Sequence, residues 1–182
     1  MEVRDEHLIQ KNLTGREKAE WKRMHGRTLE QFKDDIRQAH IDEKEIIYRY
    51  AQHHKDKTGK DLHIVDNGVD NTGEFLDVAD VRADADFIVN GKATEVKTIK
   101  KNLQKFRLKL NLLKSYLRQD ADVILVIGWE TDSPEFTILK KKELEQIVKY
   151  GIREISGDWE GKPSVYIYKS SLKWHPLPHI KS

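Results

Sequence analysis

The run Asp84-Ala85-Asp86-Phe87-Ile88-Val89-Asn90-Gly91-Lys92-Ala93-Thr94-Glu95-Val96-Lys97 decides how this chain reads. Asn90-Gly91 stands between two alternating segments. A type I′ turn needs φ > 0 at both central residues, and this dipeptide tolerates it best, so the run predicts a two-residue β-hairpin. The turn fixes the register: Val89 faces Lys92, Ile88 faces Ala93, Phe87 faces Thr94, Asp86 faces Glu95 and Asp84 faces Lys97. Side chains alternate faces along a strand. Asp84, Asp86, Glu95 and Lys97 therefore share one face, and Ala85, Phe87, Val89 and Val96 share the other. Two carboxylates opposite each other on a ladder repel. A divalent cation is the natural counter-charge for such a pair. The same residues also fit a solvated face closed by an Asp84–Lys97 ion pair, but that arrangement leaves the Asp86–Glu95 repulsion uncompensated.

Working outward, residues 1 to about 56 read as helical. Capping-box patterns stand at Thr14-Gly15-Arg16-Glu17, Thr28-Leu29-Glu30-Gln31 and Asp42-Glu43-Lys44-Glu45. Gly26 is expected to stop the first helix, and a break or restart is expected near His40. Ile46, Ile47, Tyr50, Ala51 and His54 then keep helical spacing, and Thr58-Gly59-Lys60 ends the region. Leu62-His63-Ile64-Val65 predicts a short strand. Residues 66–82 read as an acidic loop with a brief strand near Leu76. After the hairpin, Leu103, Phe106, Leu110, Leu113 and Leu117 form one stripe, which predicts a helix over 101–119. Strands are expected at 122–128, 136–139 and 165–168, with a helix at 142–150. A helix leading into a wholly apolar strand suggests a crossover in a sheet covered on both faces. Trp174-His175-Pro176-Leu177-Pro178-His179 reads as a docking or extended tail, while His53, His54 and His63 read as surface or packing residues.

Composition narrows the class. In 182 residues, 35% are charged and 37% hydrophobic, which supports one core under a very polar surface. Net charge is only +2, so global charge says little about partners, and the absence of cysteine excludes disulfides and thiolate metal sites. The opening Met1-Glu2-Val3-Arg4-Asp5-Glu6 is charged, unlike a secretory leader, and no apolar run approaches membrane length. A soluble intracellular protein that makes no membrane contact is expected.

Positive charge is concentrated locally. Lys97, Lys100, Lys101, Lys105, Arg107, Lys109, Lys114 and Arg118 lie between Val96 and Asp120 with no Asp or Glu among them. Basic side chains that neutralise phosphates supply the sequence-independent part of nucleic-acid affinity. Helical spacing would put Lys101, Lys105 and Lys109 on one stripe and Arg107 and Lys114 on another. A solvated helical face is the plain alternative, although such faces normally mix signs.

The hairpin resembles the active-site signature of the PD-(D/E)xK nuclease superfamily, which includes restriction endonucleases and Holliday-junction resolvases. Asp86 matches the first acid and Glu95-Val96-Lys97 the Glu-x-Lys half; Ala85 stands where the proline would be, and proline contributes no ligand. The resemblance covers about residues 29–140. It implies an α/β fold with a restriction-endonuclease-like αβββαβ core: a mixed central sheet flanked by helices over 41–182, with an N-terminal helical extension over 1–40. It also implies a site in which Asp86 and Glu95 hold Mg²⁺ or Mn²⁺, the hard cations that oxygen ligands favour. The backbone carbonyl of Val96 would be a further ligand. Lys97 would orient water and stabilise charge, and Asp84 would support the site or hold Lys97. The superfamily often adds a helical Glu. Glu43 is preferred because it shares a face with Ile46, Ile47 and Tyr50; Glu45, or no helical ligand, is the alternative. Lys100, Lys101, Gln104, Lys105, Arg107 and Lys109 would bind nucleic acid, with Gln104 as a polar helper.

The expected activity is metal-dependent phosphodiester hydrolysis, endonucleolytic and in DNA, with RNA as the alternative substrate; a homodimer is compatible with it. Restriction, junction resolution, homing and phage DNA processing all suit the size. The rivals are an RNase toxin on the same scaffold, a non-catalytic nucleic-acid-binding domain, and a protein-interaction domain whose basic segment meets an acidic partner.

Overall fold

Thr28 opens the first helix through the expected capping box. Its hydroxyl accepts from the Gln31 N–H at 3.1 Å, and the Gln31 side chain accepts from the Thr28 N–H at 2.9 Å. In the computed structural model, which describes residues 28–67, 85–155 and 161–179, α1 then runs unbroken over Leu29–Thr58. Gly59 ends it in the left-handed region at φ 70°. The restart expected near His40 is absent, because inside a continuous helix the N–H groups after Asp42 already have carbonyl partners and leave nothing to cap. Asp42 instead accepts from the Gln38 side chain at 2.9 Å, and Glu45, expected as its capping partner, pairs with Arg49 at 3.2 Å.

The hairpin forms in the predicted register. β2 (Phe87–Val89) and β3 (Lys92–Ile99) pair Phe87 with Thr94, Ile88 with Ala93 and Val89 with Lys92. Asn90 and Gly91 take φ 50° and 83°, as the turn requires. Asn90 also ties in β1 (Ile64–Asp66): its N–H donates to the His63 carbonyl, and its side-chain oxygen accepts from the His63 N–H, both at 2.8 Å. β3 pairs in parallel with β5 (Asp122–Ile127), which pairs antiparallel with β6 (Glu135–Leu139). β9 (His175–Pro176) closes the far edge, so the mixed main sheet runs β1-β2-β3-β5-β6-β9.

The segment between β3 and β5 corrects the helix expected over 101–119. Its first half is β4 (Lys105–Lys109), and only Leu110–Arg118 forms helix α2. Lys105-Phe106-Arg107-Leu108-Lys109 alternates with period two as cleanly as the wider stripe keeps period 3.6. Pairing with β8 (Pro163–Tyr168) decides the contest, with Phe106 opposite Ile167 and Leu108 opposite Val165. β7 (Ile152–Ile155) completes a second sheet, β4-β8-β7, and α3 spans Lys141–Tyr150. The result is an α/β protein with a mixed sheet and, among the described residues, three α-helices.

The main sheet is buried on both faces. Ile124 and Val126 of β5 pack with Phe87, Val96, Ile46 and Ile47 beneath α1. Val123, Leu125 and Ile127 point the other way, into a core shared with α2, α3 and the second sheet. The C-terminal segment is held down as the tail reading allowed: Leu177 is buried, and the buried Arg49 donates to the Pro178 and Leu177 carbonyls at 2.6 and 3.2 Å. Among the described residues no helix is long and apolar enough to cross a membrane. The helix expected between Thr14 and Gly26, the brief strand near Leu76, and Asp84 lie outside the described residues.

Candidate active site

β3 places Glu95 and Lys97 on one face and Val96 on the other. Val96 packs beneath α1, while Glu95 and Lys97 lie beside Val123 and Leu125 of the parallel neighbour. Glu95 is 8% exposed. A carboxylate buried so deeply needs donors, and it has two on Oε1: Lys97 Nζ at 2.6 Å and the Tyr116 hydroxyl, reaching over from α2, at 3.1 Å. Burial and the neighbouring Glu95 push the Tyr116 phenol far above its usual range, so it keeps its proton and remains a donor.

Asp86 sits just before β2, where the chain has left the ladder. Its Oδ2 accepts from the Val96 backbone N–H at 2.8 Å, across the hairpin. Asn67 fixes the approach by donating its backbone N–H to the Asp86 carbonyl at 2.9 Å and its side-chain amide to the Ala85 carbonyl at 3.0 Å. Asp86 and Glu95 therefore stand one position beyond the last ladder pair, Phe87–Thr94, on facing arms of the hairpin. Asp84, the other partner foreseen for Lys97, lies outside the described residues.

Glu43 stands on α1, which covers the Val96 face of β3. It lies three and four residues before the fully buried Ile46 and Ile47, so helical spacing turns it toward the sheet, where it feels the charges of Asp86, Lys97 and Glu95. Burial raises its pKa to about 8, with the Asp86 and Glu95 carboxylates adding to the rise and Lys97 opposing it. Asp86 is pushed up to about 6, again first by burial, with Glu95 raising it while Lys97 and the Val96 N–H pull it down. Burial alone would lower the Lys97 pKa, but Glu95 and Asp86 more than offset it, so the ammonium stays charged at neutral pH. Three poorly solvated carboxyl groups and one ammonium thus act on one another through their charges.

Among the described residues no three His, Asp or Glu side chains stand arranged to grip a metal ion. The donor chemistry nevertheless fits a hard divalent cation. Burial and neighbouring negative charge destabilise the ionised forms of Asp86 and Glu43, and a cation would relieve both. Asp86 and Glu95 are the side-chain donors in question, with the Glu43 carboxyl within their electrostatic reach.

The other candidate residues separate. Lys100, Lys101 and Gln104 lie in the turn before β4, where Lys100 pairs with Glu130 and the Gln104 carbonyl accepts from the Lys169 N–H at 2.8 Å. Lys105, Arg107 and Lys109 alternate with the buried Phe106 along β4, so they share one strand face, whereas Lys114 and Arg118 ride on α2. The helical stripes expected for these cations therefore do not exist. Tyr116 and Asn67 were not foreseen. A tyrosine three residues after a core leucine looks like packing, and nothing local to Asn67 shows that it meets residues 85 and 86. No protein-family model matches this chain, and neither a curated protein nor a solved structure does.

Proposed function

We propose that this chain is a metal-dependent nuclease with a restriction-endonuclease-like core, cleaving phosphodiester bonds endonucleolytically in DNA. The observation that carries the reading is the set of contacts across one hairpin, Asp86 to the Val96 N–H at 2.8 Å and Lys97 to Glu95 at 2.6 Å, with the Glu43 carboxyl of α1 within their electrostatic reach. The order α1, β1, β2, β3, α2, β5 agrees with the αβββαβ pattern, although β4 intervenes before α2 and Ala85 replaces the proline of the motif.

Asp86, Glu95 and the Val96 carbonyl would hold Mg²⁺ or Mn²⁺. Such an ion, when bound, lowers the pKa of water and offsets charge on a phosphate. The protein's own groups do the rest. Lys97, charged and held at Glu95, offers N–H donors to the attacking water and to a phosphate oxygen. Tyr116 keeps Glu95 oriented. Glu43, whose pKa lies near neutrality, can take up or release a proton at its carboxyl oxygen.

The test is incubation with supercoiled, linear, branched and single-stranded DNA and with RNA, in Mg²⁺, Mn²⁺ or EDTA. Cleavage should need the metal, and Lys97→Ala or Asp86→Asn should lower it on the order of 10²-fold or more. EDTA-resistant cleavage, or full activity in Lys97→Ala, would sink the mechanism, and cleavage confined to RNA would move the substrate to the alternative class.

A further inference from the structure

β4 and β8 build a second surface whose chemistry the hydrolytic site does not use. Phe106 of β4 and Val165 and Ile167 of β8 enter the core, so Lys105, Arg107 and Lys109 take the opposite face beside Tyr168, Tyr166 and Ser164, their partners in register; Lys105 and Tyr168 are exposed, Arg107, Lys109 and Tyr166 half-buried, and Ser164 buried. Neither strand contains an acid. Tyr168 is 46% exposed, and Ile152, opposite Tyr166 on β7, is 57% exposed. Lys105 Nζ lies 3.6 Å from the centre of the Tyr166 ring and 5.5 Å from that of Tyr168, while the Arg107 guanidinium lies 5.7 Å from Tyr166. Glu154 of β7 accepts from Arg107 at 3.3 Å, where an arriving phosphate would compete with it.

We infer that this outer sheet face is a docking platform for single-stranded nucleic acid, with phosphates on Lys105, Arg107 and Lys109 and an unstacked base on the exposed ring of Tyr168. Charge complementarity selects a polyanion. Tyr168 selects its form, because bases stacked inside a duplex have no free face, whereas every base of a single strand can stack on an aromatic ring. Spacing agrees. Alternate residues of a strand lie about 7 Å apart. That is roughly twice the 3.4 Å rise per nucleotide in a duplex strand, and it suits a chain pulled out of its stack. The platform's place in catalysis rests on the nuclease reading, which it refines: the substrate would be a strand with single-stranded character, such as a flap or a displaced strand. The binding itself does not depend on that reading.

The experiment is fluorescence anisotropy in EDTA, with a labelled oligo(dT) strand and the same strand annealed to its complement, over a salt series. The wild type should prefer the single strand. Tyr168→Ala should weaken single-strand binding roughly tenfold or more, and Tyr168→Phe, which keeps the ring, should restore it. Lys105→Gln/Lys109→Gln should lower the slope of log affinity against log salt by about 1.4, at about 0.7 per lost phosphate contact. Thermal melts of each variant report that the fold is intact. Equal affinity for strand and duplex, or unchanged binding in folded Tyr168→Ala and in the double variant, would overturn the platform. Wild-type cleavage of duplex with no single-strand binding would do so while sparing the nuclease reading. Tyr168-dependent strand binding by a protein that cleaves nothing with any metal would uphold the platform and remove the nuclease.

Discussion

Glu43 gives the clearest consequence at the scale of single residues. A carboxyl whose folded pKa lies above its unfolded value keeps its proton in the folded chain where the unfolded chain has lost it. The folded state then binds more protons, so stability falls as pH rises through that window. For Glu43 the window runs from 4.5 to about 8, and for Asp86 from 3.8 to about 6. Without a divalent cation, the melting temperature should therefore decline from acid to mildly alkaline pH. Glu43→Gln removes the larger part of the decline. The variant should match the wild type near pH 4 and exceed it at about pH 8 by on the order of 2 kcal/mol, roughly 4–8 °C in Tm. Parallel melting curves for the two proteins would mean that Glu43 is solvated and outside the cluster. The placement of Asp86, Glu95 and Lys97 on one hairpin was legible in the sequence, because a two-residue turn fixes the register, and helical spacing put Glu43 on the sheet side of α1 while leaving Glu45 or no helical ligand open. The Tyr116 hydroxyl and the Asn67 amide were not, since each reaches the site across a contact that no local pattern encodes.

Among the elements, turn and cap chemistry translated well, and periodicity translated unevenly. Asn90-Gly91 and the Thr28 box form as expected because their partners lie within three residues. The Asp42 box offered the same local signal and lost, since the surrounding sequence already propagates one helix of 30 residues. β4 shows the harder case: residues 105–109 satisfy both periods, and the deciding partner, β8, lies about sixty residues downstream. β7 and β9 lacked any strong signal; β7 is exposed throughout, and β9 is two residues long. The length of α1 has a structural use. Its buried Arg49 is the clamp for the C-terminal segment, with two carbonyls and Glu45 as partners. Arg49→Ala leaves those buried carbonyls unpaired and should cost about 2–4 kcal/mol. It should also free the segment around Leu177, so limited proteolysis should trim the C-terminal end of the variant first. A variant as stable and as protease-resistant as the wild type would show that β9 pairing and the burial of Leu177 hold the tail without Arg49.

In the whole molecule, the main sheet carries one core on each face, and the acidic cluster is set into this doubly covered sheet beside α1 and α2. The helix leading into the apolar run of β5 was enough to anticipate a crossover and a sheet covered on both faces. The second sheet was not anticipated, because it depends on β4 and β7. So much covering explains why the cluster is poorly solvated, and poor solvation makes the bare protein responsive to cations. Metal ligands must lose their protons, so affinity should rise with pH across the range where Asp86 and Glu43 titrate. Mg²⁺ or Mn²⁺ should therefore raise Tm little at about pH 5 and much more at about pH 8. At about a hundred times the Kd the gain is roughly 2.7 kcal/mol. Asp86→Ala should abolish the response. Lys97→Ala should keep or enlarge it, because Nζ, 2.6 Å from Glu95 Oε1, occupies the place where the ion's charge would act. A cation response that is flat with pH, or that survives in Asp86→Ala, would locate binding elsewhere on the surface and leave Lys97 as the only counter-charge of the cluster.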